Sequence, residues 1–114
     1  MSVPAPTSSD DTTGWAFLTW LGHGCYVDST TARIMSQIVS NEPMTVEHCL
    51  YLCQDVGFTV CAMEAGTECF GTTSLPASKF QADPDDCNSP CEGNPDQICG
   101  GPERLTVMYY SHAN

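Results

Sequence analysis

Eight cysteines in a chain of 114 residues constrain the fold more than any other feature of this sequence. They are Cys25, Cys49, Cys53, Cys61, Cys69, Cys87, Cys91 and Cys99. An even number of cysteines in a small chain is typical of a disulfide framework, which forms and persists in oxidising compartments. The sequence therefore predicts four disulfide bonds and a protein that works outside the cell or on its surface.

Zinc binding is the competing interpretation of a cysteine-rich chain. Zinc sites usually combine two close ligand pairs of the Cys-x2-Cys type, whereas no two cysteines here are closer than four positions. The histidines His23, His48 and His112 form neither a zinc-finger pattern nor a helical pair. We therefore expect disulfides, no metal site and no cofactor.

The surface is expected to be strongly acidic. Asp and Glu number 14 against 3 Lys and Arg, which gives a formal net charge of -11. Such a surface repels phosphate backbones and anionic lipids, so neither nucleic acid nor membrane is an expected partner. No stretch approaches the ~18 to 20 apolar residues of a membrane span. Neutral sugars are compatible with this charge, which also serves simply to keep an extracellular domain soluble.

The chain divides into a tail and one domain. Residues 1–14 are rich in Ser, Thr and Pro and short of apolar side chains, which predicts a disordered tail. Residues 15–112 form the single predicted domain, and a chain of this size builds only a modest core. Each disulfide adds roughly 2 to 4 kcal/mol, against a net stability of ~5 to 15 kcal/mol for an ordinary domain. Folding is therefore expected to require the crosslinks.

The clearest secondary-structure signal is a helix between Thr45 and Gly57. Thr45 is a favourable N-cap, and Gly57 stands where a left-handed C-cap is expected. The repeat i, i+3, i+4, i+7 places Cys49 and Cys53 on the buried face. Tyr51 lies on the opposite face, where we expect it to be exposed.

Strands are predicted at 24–28, 58–64, 68–70 and 105–110. The second and third flank residues 65–67, a plausible three-residue hairpin loop with Gly66 at its centre. Residues 71–104 are rich in Pro, Asp, Gly and Ser, which predicts a long ordered loop held by disulfides rather than by strand ladders. The last strand is expected to return beside the first.

Short motifs follow one another in order along the chain. They are Gly24-Cys25-Tyr26 with Asp28, Met44-Thr45-Val46-Glu47 before Cys49 and Cys53, Met63-Glu64 and Glu68-Cys69 around Gly66, Cys87-Asn88, Pro90-Cys91, Gly93-Asn94 and Cys99-Gly100-Gly101. With an aromatic final strand, this series resembles the WSC domain, a module of fungal cell-wall stress sensors and of secreted carbohydrate-active enzymes and oxidases. The resemblance runs from Leu21 to Tyr110.

The resemblance implies a small disulfide-rich α+β fold, similar to PAN or apple modules, with one main helix packed on a twisted antiparallel sheet. It further implies that Cys49 and Cys53 tie the helix to the sheet and that Cys91 and Cys99 close a local loop. The other pairings stay open, because eight cysteines allow 105 connectivities.

One cysteine departs from the family pattern. The family usually reads Glu-Cys-Tyr-Cys-Gly, whereas this chain has Gly71 after Phe70 and carries its remaining cysteine at Cys61. If Gly66 centres the hairpin, positions 61 and 71 are cross-strand neighbours on one face. We therefore expect the bridge to keep its partner by moving across the ladder.

The function implied by the resemblance is non-catalytic binding of a neutral cell-wall polysaccharide such as β-1,3-glucan, chitin or xylan. The alternative is a protein interaction module that mediates weak self-association of a surface protein. No Ser-His-Asp set appears, and the acids at 83–86 lack the pattern of a calcium loop, so no enzyme is expected.

A sugar site needs aromatic rings for stacking and polar groups for hydroxyl hydrogen bonds. The candidates are the aromatic residues Trp20, Tyr26, Tyr51, Tyr109 and Tyr110 and the polar residues Asp28, Glu64, Glu68 and Asn88. Each has a structural alternative. Tyr26 and Tyr109 alternate with expected core positions. Glu64 and Glu68 are alternatively surface charges across the hairpin, and Glu64 is alternatively a structural acid that accepts backbone hydrogen bonds. Trp15 and Trp20 are expected to form either a hydrophobic clasp or an added contact surface.

Overall fold

The computed structural model describes residues 20–28 and 35–111. The predicted tail, Trp15 and His112 lie outside the described residues. The described part contains one α-helix, α1 (Val46–Val56), and seven strands. The strands are β1 (Trp20–Val27), β2 (Ser36–Ile38), β3 (Val60–Glu64), β4 (Glu68–Thr72), β5 (Pro90–Cys91), β6 (Asn94–Ile98) and β7 (Arg104–Tyr110). Within this part of the chain, no helix has the length and apolar character to cross a membrane.

Helix α1 begins and ends at the predicted caps. Thr45 has an extended backbone, and its hydroxyl accepts a hydrogen bond of 3.0 Å from the backbone N–H of His48. Gly57 adopts the left-handed conformation at φ 104° and donates to the carbonyl of Cys53. These local interactions satisfy backbone groups that the helix ends would otherwise leave unpaired. The predicted helix is therefore confirmed.

A five-stranded antiparallel sheet carries the helix, with strand order β1-β7-β3-β4-β2. Strand β7 lies directly beside β1, as the sequence predicts. The hairpin β3–β4 turns through residues 65–67, where Ala65 and Gly66 both have positive φ angles of 56° and 82°. The α+β class with one helix on an antiparallel sheet is confirmed.

Both faces of the sheet are buried. The helix-side core contains Trp20, Met44, Leu50 and Met63 together with six cysteines. The opposite core contains Tyr26, Met35, Val60, Ala62, Leu105 and Val107, with Phe70, Phe80 and Tyr109 packed against it. Alternating residues of β7 contribute to opposite cores, as the two-residue period of a strand requires.

The four predicted disulfides are confirmed. Two of them, Cys49–Cys69 and Cys53–Cys61, tie the helix to β4 and β3, and Cys91–Cys99 closes a local loop, in agreement with the pairings implied by the resemblance. The fourth, Cys25–Cys87, joins β1 to the loop region across 62 positions of sequence.

The cysteine shift from position 71 to position 61 follows the predicted geometry. Cys61 pairs with Gly71 across the β3–β4 ladder and bonds to Cys53. A Cβ atom at Gly71 would lie 2.8 Å from Cγ and Cε2 of Phe58, so the Phe58 ring occupies the space that a side chain at 71 would need. Relative to the family pattern, the cysteine has therefore moved from position 71 to position 61, and the Phe58 ring fills the space beside position 71.

The prediction that residues 71–104 lack strand ladders is wrong in part. Strands β5 and β6 form a two-stranded ribbon, and β4 continues to Thr72. The ribbon escapes sequence analysis because Pro90 and Pro95 interrupt it and its side chains do not alternate between apolar and polar. Short 3-10 turns at Ser78–Phe80 and Pro84–Asp86 complete the loop region.

Candidate functional site

The nine candidate ligand-binding residues do not converge on one site. Trp20 and Tyr26 lie in the two cores, Tyr51 lies on the helix, and Asn88 lies in the loop region. The remaining residues occupy opposite ends of the sheet: Asp28, Glu64 and Glu68 at one end, and Tyr109 and Tyr110 at the other. The two ends are roughly 20 Å apart, since a strand rises about 3.3 Å per residue.

The two most buried candidates are core residues. Trp20 is 4% exposed and packs against Tyr110 with ring centroids 5.5 Å apart. Tyr26 is 2% exposed and belongs to the core on the other side of the sheet. Neither ring presents a face to solvent, so the structure assigns both to the packing role that the sequence left open.

The acidic end of the sheet contains a buried carboxyl group, Glu64, beside the half-buried Asp28 and Glu68. Glu64 is 6% exposed, lies opposite Glu68 in the β3–β4 ladder, and is hydrogen-bonded to Asp28. Burial is the largest cause that raises the pKa of Glu64 from 4.5 to about 8; the hydrogen bond to Asp28 and repulsion from Asp28, Glu68 and Glu103 add to it. At neutral pH the carboxyl group of Glu64 is therefore protonated, and its O–H donates the hydrogen bond to Asp28.

A glycine turn closes over Glu64. Gly100 has φ 77°, and a Cβ atom there would lie 2.6 Å from the Cα atom of Glu64. The carbonyl of the preceding residue, Cys99, accepts a hydrogen bond of 2.8 Å from Gly66 in the hairpin loop. Glu64 thus lies beneath a turn, and its burial contradicts the alternative that it is a surface charge.

The opposite end of the sheet carries a half-exposed aromatic surface. His23 is the extra residue at an irregularity of β1 between Gly22 and Gly24. Its ring stacks on Tyr26 at 5.4 Å with an interplanar angle of 3° and meets Tyr109 edge-on at 5.6 Å. Leu21 pairs with Tyr109 across the ladder and is 45% exposed. We call Leu21, His23 and Tyr109 the edge platform.

An amide lies beside the edge platform. Gln81 forms an isolated β-bridge with Tyr26. Its side-chain nitrogen lies 3.4 Å from the position where a Cβ atom of Gly24 would be. Gln81 is exposed, so its amide is accessible to a ligand. The arrangement combines ring faces with a hydrogen-bonding group, as a sugar site requires.

Sequence analysis missed His23 and Gln81 as site residues. The available signal was the triplet Gly22-His23-Gly24, because glycines inside a predicted strand often mark a bulge that re-aims a side chain. No comparable signal exists for Gln81, which reaches the platform only through its tertiary bridge to Tyr26.

Tyr51 is 59% exposed, which confirms its predicted exposure. Nearby polar groups of the helix are bound by other elements: Glu47 accepts two hydrogen bonds from Gln97 in β6, and His48 lies 2.6 Å from the hydroxyl of Ser40. The helix packs on the sheet face opposite the core that Tyr109 joins. Tyr51 and the edge platform therefore lie on different sides of the molecule.

Asn88 borders a shallow surface depression of about 260 Å³ with Asp86, Pro102 and Arg104. Its amide donates to the carbonyl of Asp85, and Arg104 pairs with Asp86 at 3.2 Å. A second depression, of about 320 Å³, lies beside the Cys25–Cys87 bridge and includes Gly22 and Gly24 in its lining. Both are wide and open, unlike the enclosed pocket of a typical small-molecule enzyme.

The chain resembles known proteins over most of its length. The family model described as WSC domain matches residues 22–101. Two WSC domain-containing proteins of Arthroderma benhamiae are 36% and 33% identical over 99% and 93% of the chain, which covers 12% and 14% of their lengths. Kremen protein 2 of Homo sapiens is 38% identical over 77% of the chain, which covers 20% of that protein. The chain thus spans a small part of each of these relatives.

Proposed function

Because the chain belongs to the WSC domain family, we propose that it is a non-catalytic module that binds a neutral cell-wall polysaccharide outside the cell. The polymers that fit are β-1,3-glucan, chitin and xylan. The observation that carries the proposal is the edge platform, where Tyr109 and His23 present half-exposed rings next to the amide of Gln81.

Charge supports a neutral ligand. The formal net charge of -11 opposes the approach of an acidic polymer. The two basic side chains within the described residues both have partners, since Arg104 pairs with Asp86 and Lys79 lies over the ring of Phe80. Uncharged hydroxyl groups are not repelled by the negative charge. They can donate hydrogen bonds to carboxylates and can donate hydrogen bonds to amides or accept them from amides.

The carboxyl geometry supports binding without catalysis. Glycosidases place two carboxyl groups about 5 to 9.5 Å apart on either side of the bond they cleave. The carboxyl groups of Asp28 and Glu64 are instead hydrogen-bonded to each other, and Glu64 is buried beneath the Gly100 turn. The separation of these two carboxyl groups therefore differs from the separation of a glycosidase pair.

The disulfides and the relatives support the setting. Four bridges within one small domain favour an oxidising, extracellular environment. The relatives from Arthroderma benhamiae are far longer than this chain, which is compatible with a module that works at the cell surface or wall within a larger polypeptide. There it would hold an attached sensor or enzyme against the polymer.

Retention on insoluble β-1,3-glucan, chitin and xylan tests the proposal. We expect the native protein to be retained on at least one polymer and Tyr109→Ala to bind at least about tenfold less tightly, because one aromatic stacking contact contributes roughly 1.4 kcal/mol. Tyr109→Phe keeps the ring and should bind normally. Tyr51→Ala is the matched control on the other side of the molecule.

Three outcomes would contradict this assignment. Loss of retention with Tyr51→Ala but not with Tyr109→Ala would move the site to the helix. Equal losses with Tyr109→Ala and Tyr109→Phe would show that ring stacking is not the cause. No retention of the native protein on any polymer, with concentration-dependent dimers in sedimentation velocity, would favour the self-association alternative.

A further inference from the structure

Four of the eight cysteines form a compact sulfur cluster. Helix α1 supplies Cys49 and Cys53, and the β3–β4 hairpin supplies Cys61 and Cys69. The four sulfur atoms all lie within 4.8 Å of one another. Cys49 Sγ is 3.3 Å from Cys61 Sγ, although these atoms belong to different disulfides. The two bridges therefore occupy one common volume.

This volume matches the size of a tetrahedral thiolate centre. A Zn–S bond of about 2.3 Å places the sulfurs of a tetrahedral site about 3.8 Å apart. That spacing lies inside the 4.8 Å limit of the cluster, and the two bonded sulfur pairs would move apart to reach it once their bonds are reduced. The i, i+4 spacing of Cys49 and Cys53 puts both on one helix face, as in helix-borne metal-ligand pairs.

The surroundings select the kind of cation. All four cysteines are fully buried, with 0% of their surface exposed. Their ligand atoms are sulfur alone, which favours soft or borderline metals such as zinc over calcium or magnesium. The other two bridges do not belong to the cluster, because Cys25–Cys87 and Cys91–Cys99 connect other parts of the fold.

We propose that Cys49, Cys53, Cys61 and Cys69, once reduced, form a tetrathiolate site for one thiophilic divalent cation such as Zn²⁺. Each disulfide accepts two electrons and two protons from a dithiol, which becomes a cyclic disulfide. The resulting four thiols release four protons as one cation binds. The helix and the hairpin would then be crosslinked in either of two ways, by the two disulfides in oxidising conditions and by a bound metal ion in reducing conditions. This inference does not depend on the polysaccharide proposal.

Cobalt titration tests the site directly. In a variant with Cys25, Cys87, Cys91 and Cys99 all replaced by Ser, reduced with a phosphine and kept without oxygen, Co²⁺ should bind one to one. We expect sulfur-to-cobalt charge transfer in the near ultraviolet and the strong visible bands of tetrahedral cobalt, both lost when Zn²⁺ is added. Adding Cys53→Ser and Cys61→Ser to the same variant should abolish these bands. Absence of the bands from a first variant that circular dichroism shows to be folded, or their persistence in the second, overturns the proposal; if the first variant is unfolded, alkylation of the native chain decides.

Alkylation of the native chain gives a readout that does not depend on how the variants fold. After reduction, equimolar Zn²⁺ should protect Cys49, Cys53, Cys61 and Cys69 from iodoacetamide. The other four cysteines should be alkylated at the rate seen without metal, as mapped by mass spectrometry. Equal protection of all eight cysteines, or protection of none, contradicts a dedicated site.

Discussion

Adding one methyl group at Gly71 should destabilise the domain, because Phe58 occupies the space beside it. The Cβ atom of Gly71→Ala would lie 2.8 Å from Cγ and Cε2 of Phe58, well below a normal contact of about 3.5 Å. Overpacking of this kind costs about 1 to 3 kcal/mol. In a domain of this size, that corresponds to a fall in melting temperature of roughly 5 to 20 °C.

Urea unfolding followed by circular dichroism, without reductant, measures this cost. The matched control is Gly22→Ala, also in a strand, where an added Cβ atom meets nothing within 4 Å. We expect the control to change the free energy of unfolding by less than about 0.5 kcal/mol, as for a substitution away from special features.

A double-mutant cycle identifies the cause. In a Phe58→Ala background the ring is gone, so adding Gly71→Ala should cost almost nothing, which gives a coupling energy of about 1 to 3 kcal/mol. If Gly71→Ala costs the same with and without the ring, steric competition is not the reason for the glycine. The reasoning about the exchanged cysteine would then be refuted as well.

The remaining predictions concern pH and the disulfides. The pKa of Glu64 is about 8 in the fold against 4.5 ordinarily, so the folded state binds the extra proton and stability falls as pH rises across that window. Glu64→Gln should remove this slope in urea unfolding, and an unchanged slope would assign it to other groups. Replacing both cysteines of Cys25–Cys87 by Ser should cost more than replacing those of Cys91–Cys99, about 4 against about 2.5 kcal/mol, because the sequence separations are 62 and 8. Equal losses in non-reducing melts would argue against the chain-entropy explanation.

The sequence predicted the elements whose signals are local. Helix α1 has its caps at Thr45 and Gly57, and the β3–β4 hairpin has Gly66 where a positive φ is needed. Both features depend on residues only a few positions apart, so a single sequence contains them. The β5–β6 ribbon is different, because the pairing of Pro90 with Ile98 has no local pattern to announce it.

Whether Trp20 and Tyr26 are buried could not be decided from the sequence, for a different reason. Alternation along a strand tells which residues share a face, but it does not tell whether that face is covered. In this fold the helix covers one face, while side chains such as Met35 and Phe80 pack on the other. Tyr26 is therefore buried by the side chains of the core opposite the helix, and Trp20, at the end of β1, is buried in the helix-side core beside Tyr110.

This double coverage is also the reason why the edge platform stands out as a site. Tyr26 and Val107 are buried together in the core opposite the helix. Near the start of β1 the ladder is irregular, and His23 becomes an extra residue that is only partly covered. The bulge costs ladder pairing, and it places the His23 ring over Tyr26 and beside Tyr109 at the surface of the core opposite the helix. Contact between the edge platform and a sugar ring would explain the irregularity of β1 at His23. Tyr109, rather than Tyr51, is therefore the decisive position to replace.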